Sequence, residues 1–268
     1  MHSSSPLSLR LLGFVSCAVV GIAGSGCSDD KKDPVDPVPT TGAIMIQVEH
    51  KVGAADLELG TIQYTNAFGN EYGVNNLEYF LSDFAVMNDD GRQEVNGAYY
   101  VNAGDEGTHT IMVEGVPAGH YHLLAFTWGL DDEDNVTGAL DGESSAIDNM
   151  FWPPNWGGGY HYMKLEGRFI NSEGTESAFA THAGRYLADS RDEPHFVDEA
   201  LTLHQNIVAG ETLVLTLQMN VNRWYEGPNV IDLASHNAIM NNKDRQDEIE
   251  QNCDDVFTLL GGGTHGQP

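Results

Sequence analysis

Cysteine is scarce in this chain, and the shortage limits its chemistry. Of 268 residues three are cysteine: Cys17, Cys27 and Cys253. The first lies in an apolar leader and the second at its end, so a processed chain keeps Cys253 as its free thiol. That excludes an intramolecular disulfide and an all-cysteine metal site. Positive charge is scarce too, with 12 Lys and Arg against 40 Asp and Glu, for a net charge of −28. Phosphate backbones would be repelled, which argues against nucleic acid as a partner. No Ser-His-Asp order, nucleotide-binding glycine loop or Cys-x-x-Cys-His haem motif is present. The expectation is therefore a binding protein and not an enzyme.

Long apolar runs are missing as well. The one candidate, Leu11 to Ala23, is too short and Gly-rich to span a membrane. It suits the central region of a signal peptide and ends in Gly24-Ser25-Gly26-Cys27. Small residues before a cysteine resemble a lipobox, with Cys27 the expected site of lipidation and the mature N-terminus. This predicts a signal peptide over 1–26 and an extracytoplasmic protein anchored to lipid at the outer membrane, in the periplasm or at the cell surface. Ser28 to Thr41 reads SDDKKDPVDPVPTT. It is too polar and Pro-rich to bury surface, so 27–41 is expected to be a disordered tether. The folded domain is placed at 42–260, with 261–268 as a flexible tail.

What remains is rich in strand signals. Ile44–His50, Leu57–Tyr64, Leu77–Met87, Tyr99–Val101, Thr108–Val113, His120–Trp128, Tyr160–Ile170, Ser177–His182, Phe196–Leu203 and Thr212–Val221 are β-prone and partly alternating. Asn88-Asp89-Asp90-Gly91 reads as a hairpin turn. The pattern predicts a mainly β protein, an antiparallel β-sandwich with long loops and a short C-terminal helical segment. A short helix is expected over Val230–Leu233 and Ser235–Asn241, and a second at Lys243–Leu260. A long Trp-, Pro- and Gly-rich loop, Asp131–Trp156, interrupts the strands, and loops of that length are usually functional or disordered.

Chemistry concentrates in that loop and the strand after it. Trp152, Trp156, His161 and Met163 fall within a dozen residues. On a strand, His161 and Met163 would share a face, and imidazole with thioether suits a soft cation, above all Cu(I). If the next strand pairs as a hairpin, His182 comes near His161. His236 and Met240 stand one helical turn apart and could cap the same site. His120 and His122 alternate on one strand, where two such rings can chelate a metal, although exposed surface is the commoner outcome. Asp131, Asp132 and Asp134 offer hard oxygens that would suit Ca²⁺. Exposed tryptophans on such a loop would also make a platform for a glycan or protein.

A resemblance covers nearly all of Gly42 to Phe257. Its pieces are Val52-Gly53, Leu57-Glu58-Leu59, Tyr64-Thr65-Asn66-Ala67-Phe68-Gly69-Asn70, Leu77-Glu78-Tyr79-Phe80-Leu81-Ser82-Asp83, Gly119-His120-Tyr121, Gly129-Leu130-Asp131, Met150-Phe151-Trp152, Trp156, Gly159-Tyr160, Lys164-Leu165-Glu166-Gly167 and His182-Ala183-Gly184. In order and number they resemble the MbnP-like family, named for the periplasmic partner of methanobactin. The resemblance implies an extracytoplasmic β-sandwich that handles copper. It implies Cu(I) held by histidines near a tryptophan that is oxidised to kynurenine by a di-haem protein of the cytochrome-c-peroxidase type, MbnH-like. Trp152 and Trp156 match the motif's tryptophans and His182 its downstream histidine. The ligands it points to are His161 and His182, with Met163 or His236 as a further donor. His161 stands where relatives carry an aromatic or aliphatic residue.

Overall fold

The computed structural model describes residues 39–140, 144–188 and 191–266. The expected signal peptide, Cys27 and most of the expected tether lie outside these residues. Along the chain the strands are β1 (Thr41–Val52), β2 (Ala55–Asp56), β3 (Tyr64–Thr65), β4 (Glu71–Asn88), β5 (Gly91–Asn102), β6 (Thr110–Pro117) and β7 (Gly119–Trp128). A short helix α1 (Ser145–Asp148) then precedes β8 (Met163–Ile170), β9 (Glu176–Ala183), β10 (Tyr186–Ala188), β11 (Arg191–Glu193), β12 (Val197–Ile207) and β13 (Glu211–Asn220). Helix α2 (Lys243–Asn252) and β14 (Phe257–Gly266) complete the chain.

The strands form two main sheets. One runs β14-β13-β1-β2 with β6 also on β1; the other runs β12-β7-β4-β8-β9 with β3 and β5 also on β4. Pairing is antiparallel except between β1 and β13, which run parallel. Alternation explains the layers. In β1 the residues Ile44, Ile46 and Val48 point inward, and in β13 so do Leu213, Leu215 and Leu217. They share one core with Tyr79, Leu81, Phe84, Leu124, Phe126 and Trp128 of the larger sheet. His50 of β1 reaches across to the Tyr79 hydroxyl of β4 at 2.9 Å. Burial drives its imidazole down to about 3. A second, smaller core of Phe80, Leu130, Ile147, Met150, Tyr160 and Tyr162 forms under the long loop.

Three expectations are corrected. Leu57–Tyr64 is mostly irregular, flanked by the two-residue strands β2 and β3. No helix forms over 230–241; there the Asp232 carboxylate accepts from the Ala234 amide, and its carbonyl from those of Ser235 and His236. That Asx-type turn competes with a helix. The second helix stops at Asn252, and residues 257–266, expected as helix end and tail, are the edge strand β14 on β13. Gly261 and its neighbours signal a tail by composition, but a paired edge satisfies their backbone groups. Among the described residues no helix is long and apolar enough to cross a membrane.

Candidate metal centre

The long loop is fastened where it approaches β8. Asn135 Oδ1 accepts from the Tyr160 amide at 2.8 Å, and its amide group donates to the Tyr162 hydroxyl at 3.1 Å. Thr137 Oγ1 accepts from the Gly159 amide at 2.7 Å. A bridge between Phe151 and Tyr160 closes the loop on itself. These bonds bury Trp152 completely, and its indole N–H donates to the Trp156 carbonyl at 3.1 Å. The loop tryptophans therefore form no exposed platform: Trp152 is interior and Trp156 half-buried.

Trp152 packs edge-on against His161, with ring centroids 4.7 Å apart. His161 in turn meets His182 edge-on at 5.0 Å. His161 is buried and His182 half-buried. The hairpin β8–β9 sets this up, because Lys164 pairs with His182 and so puts that ring on the face of Lys164 and Glu166. Met163 lies on the other face, in the main core opposite Ala183. This corrects the expectation that His161 and Met163 share a face. Residue 161 precedes the first residue of β8, and strand alternation does not reach it.

The hydrogen bonds fix which nitrogens are available. His161 Nδ1 lies 3.0 Å from the Met150 carbonyl. A carbonyl can only accept, so Nδ1 carries the proton and Nε2 holds the lone pair. That Nε2 is buried with no hydrogen-bond partner among the described residues. Burial drives the ring down to about 4, so it is neutral at physiological pH. His182 Nε2 lies 2.7 Å from Glu166 Oε1. This hydrogen bond from His182 holds the Glu166 carboxyl down at about 2, so an ionised acceptor faces Nε2. In the neutral ring Nδ1 of His182 is then the lone-pair nitrogen. Each histidine thus offers one nitrogen while the other is held by an oxygen acceptor, the usual support of a metal-ligating imidazole.

The turn after His182 is equally constrained. A Cβ on Gly184 would stand 2.8 Å from the Trp152 ring, so only glycine lets β9 pass the indole. Gln246 of α2 accepts from the Gly184 amide at 3.2 Å and donates to the His182 carbonyl at 2.8 Å. Sequence reasoning missed Glu166 and Gln246 as supports. Glu166 was findable, two residues after Lys164 on the strand face that His182 joins.

His236 has oxygen partners at both ring nitrogens. Its Nε2 faces Glu248 at 2.6 Å and its Nδ1 faces the Asp232 carbonyl at 3.1 Å. The Ser235 hydroxyl stands closer to that Nδ1, at 2.8 Å, and can donate to its lone pair while Nε2–H donates to Glu248. In the acidic loop, Asp131 and Asp134 come together with Asp83 of β4, their carboxylate oxygens within 4.8 Å of one another. Asp132, expected in that set, instead pairs with Arg185 at 2.6 Å. Burial, and then the crowding of neighbouring carboxylates, hold the Asp83 and Asp134 carboxyls above their ordinary range.

The MbnP profile matches residues 41–242, and the chain belongs to that family. Among solved structures the chain is similar to MbnP from Methylosinus trichosporium, at 12% identity over 72% of this chain and 80% of that one, with a TM-score of 0.44. No curated protein matches it. The matched span holds Trp152, His161 and His182 but ends before α2, which supplies Gln246.

Proposed function

We propose that this member of the MbnP family is an extracytoplasmic copper-binding lipoprotein that holds Cu(I) between His161 and His182. The observation that carries the reading is the buried, unpartnered Nε2 of His161 beside the ring of His182. Leaving a polar atom dry costs about 1–3 kcal/mol unless something completes it. Two imidazole nitrogens suit a soft monovalent ion that accepts few ligands. Copper would supply the Lewis-acid partner for those lone pairs. The chain supplies exclusion of water through Trp152, and orientation through the Met150 carbonyl and Glu166. The role is binding and not turnover.

Trp152 is our candidate for oxidation to kynurenine, because it and not Trp156 touches His161. Its indole C2–C3 bond would break with loss of four electrons to a di-haem MbnH-like partner and gain of two oxygens from water, and hydrolysis of the formyl group so formed would release the C2 carbon as formate. Trp-to-kynurenine conversion adds about 4 Da, so intact mass and peptide mapping of the native protein test it. The copper reading is tested by competitive Cu(I) titration of the purified protein under reducing conditions. His161→Ala/His182→Ala should weaken binding more than a hundredfold; an unchanged affinity would sink the ligand set. The Asp83, Asp131 and Asp134 group suits Ca²⁺ by its hard oxygens. Cys27 as lipid anchor is tested by metabolic labelling with a palmitate analogue, which Cys27→Ser should abolish.

A further inference from the structure

A second group of histidines lies at the β7–β12 edge of the larger sheet. His120 and His122 project from β7. On β12 the register slips by one between Thr202 and Gln205, so Leu203 and His204 together oppose His122. At this bulge Leu203 turns into the core and His204 turns out, with φ of 45°. The left-handed conformation is uncommon outside glycine, and such outliers gather where a side chain has been aimed. Here it brings a third imidazole over the two of β7. Ring centroids are 5.1 Å apart for His120 and His122, 5.4 Å for His122 and His204, and 6.4 Å for His120 and His204.

From this geometry we infer a surface site for a borderline divalent transition ion, Zn²⁺ or Cu²⁺, held by His120, His122 and His204. One ligand nitrogen from each ring lies within 4.8 Å of the others. His122 Nδ1 and His204 Nδ1 are 3.4 Å apart. Two nitrogens about 2.0–2.1 Å from one tetrahedral ion stand about 3.3–3.4 Å apart, so this pair is already at ligand spacing. The remaining nitrogens have outer partners. His120 Nδ1 faces Asn206 Oδ1 at 3.0 Å, which leaves its Nε2 for the ion. His122 Nε2 faces Asp89 Oδ1 at 3.5 Å. A carbonyl-type oxygen and a carboxylate behind two rings raise their basicity and hold their orientation. Three neutral imidazoles without thiolate or thioether favour Zn²⁺ and Cu²⁺ over Cu(I), and nitrogen donors disfavour Ca²⁺ and Mg²⁺. The fourth position faces solvent, which leaves it to water or to a donor from a docked molecule. When the ion takes the place of the proton between His122 Nδ1 and His204 Nδ1, the neutral His204 ring keeps that proton on its far nitrogen.

Equilibrium dialysis of the whole protein against Zn²⁺ near neutral pH tests this. The parent should take up one ion that His122→Gln/His204→Gly binds at least tenfold more weakly. His120→Asn should weaken the same ion. His161→Ala/His182→Ala should leave it unchanged, which separates this site from the buried pair. Equal uptake by the parent and by both surface variants overturns the inference, as does loss of that ion in the buried-pair variant. The rings of His120 and His204 are exposed, so folding is checked simply by an unchanged thermal transition.

Discussion

Histidines at the two ends of the larger sheet meet opposite treatment. At the β8–β9 end, His161 is sealed beneath Trp152, and one nitrogen each of His161 and His182 is held by an oxygen acceptor. At the β12–β7 end, three rings stand at a bulge with water on one side. As a metal site the first would select by excluding water and limiting donors to two. The second would select by number and spacing of donors and leave the ion open. A soft monovalent ion gains most from the first, and a borderline divalent ion from the second. The same side chain serves both because burial decides its charge and its neighbours decide its tautomer.

The largest effect that can break this contrast is the pH dependence of stability. An unfolded histidine titrates near 6.5, while folded His161 is held down at about 4 by burial. Above pH 6.5 both states are neutral and His161 contributes no slope. As pH falls below 6.5 the unfolded chain gains a proton that the native ring refuses, so stability falls, levelling off below about 4 when the native ring also protonates. At about 1.4 kcal/mol per pH unit the difference between 6.5 and 4 is on the order of 3 kcal/mol. His161→Phe should flatten that part of the curve in urea denaturation at pH 7 and pH 4.5. An identical slope in parent and variant would mean that the ring is wetter than Trp152 allows.

Next in size is Gly184→Ala. The added methyl meets Trp152 at 2.8 Å, and overpacking of this kind typically costs about 1–3 kcal/mol. Either the indole or the β9 end must shift, and both carry the His182 ring relative to His161. Lower thermal stability together with weaker Cu(I) binding is expected. Lost stability with full copper affinity would show that Trp152 is packing only and plays no part in shaping the pair.

How far the two regions were legible in the sequence follows the same division. Strand positions were readable because inward and outward residues alternate along β1, β12 and β13. The pairing of His161 with His182 was readable from one hairpin. The role of Met163 was not, because the strand begins after His161 and parity cannot be counted from outside a strand. The outward turn of His204 was hidden too, because a bulge changes register without changing composition. β14 was missed because its glycines gain their order from β13, a partner some fifty residues upstream in the chain.

The smallest expected effect sharpens the comparison from the exposed side. His204 holds φ of 45°, a conformation costing an L-residue about 1–2 kcal/mol, less for histidine than for most. Glycine would relieve that strain but adds unfolded-chain entropy of about 0.4–1 kcal/mol. The two nearly cancel, so His204→Gly without metal should leave stability within about 1 kcal/mol of the parent, on the stabilising side. Adding saturating Zn²⁺ should then raise the melting temperature of the parent and not of the variant, since a ligand stabilises only the state that binds it. A metal-free variant that is clearly less stable would mean that the imidazole itself holds the bulge. The strained backbone would then be explained by packing, and the contrast between a sealed site and an open one would lose its second half.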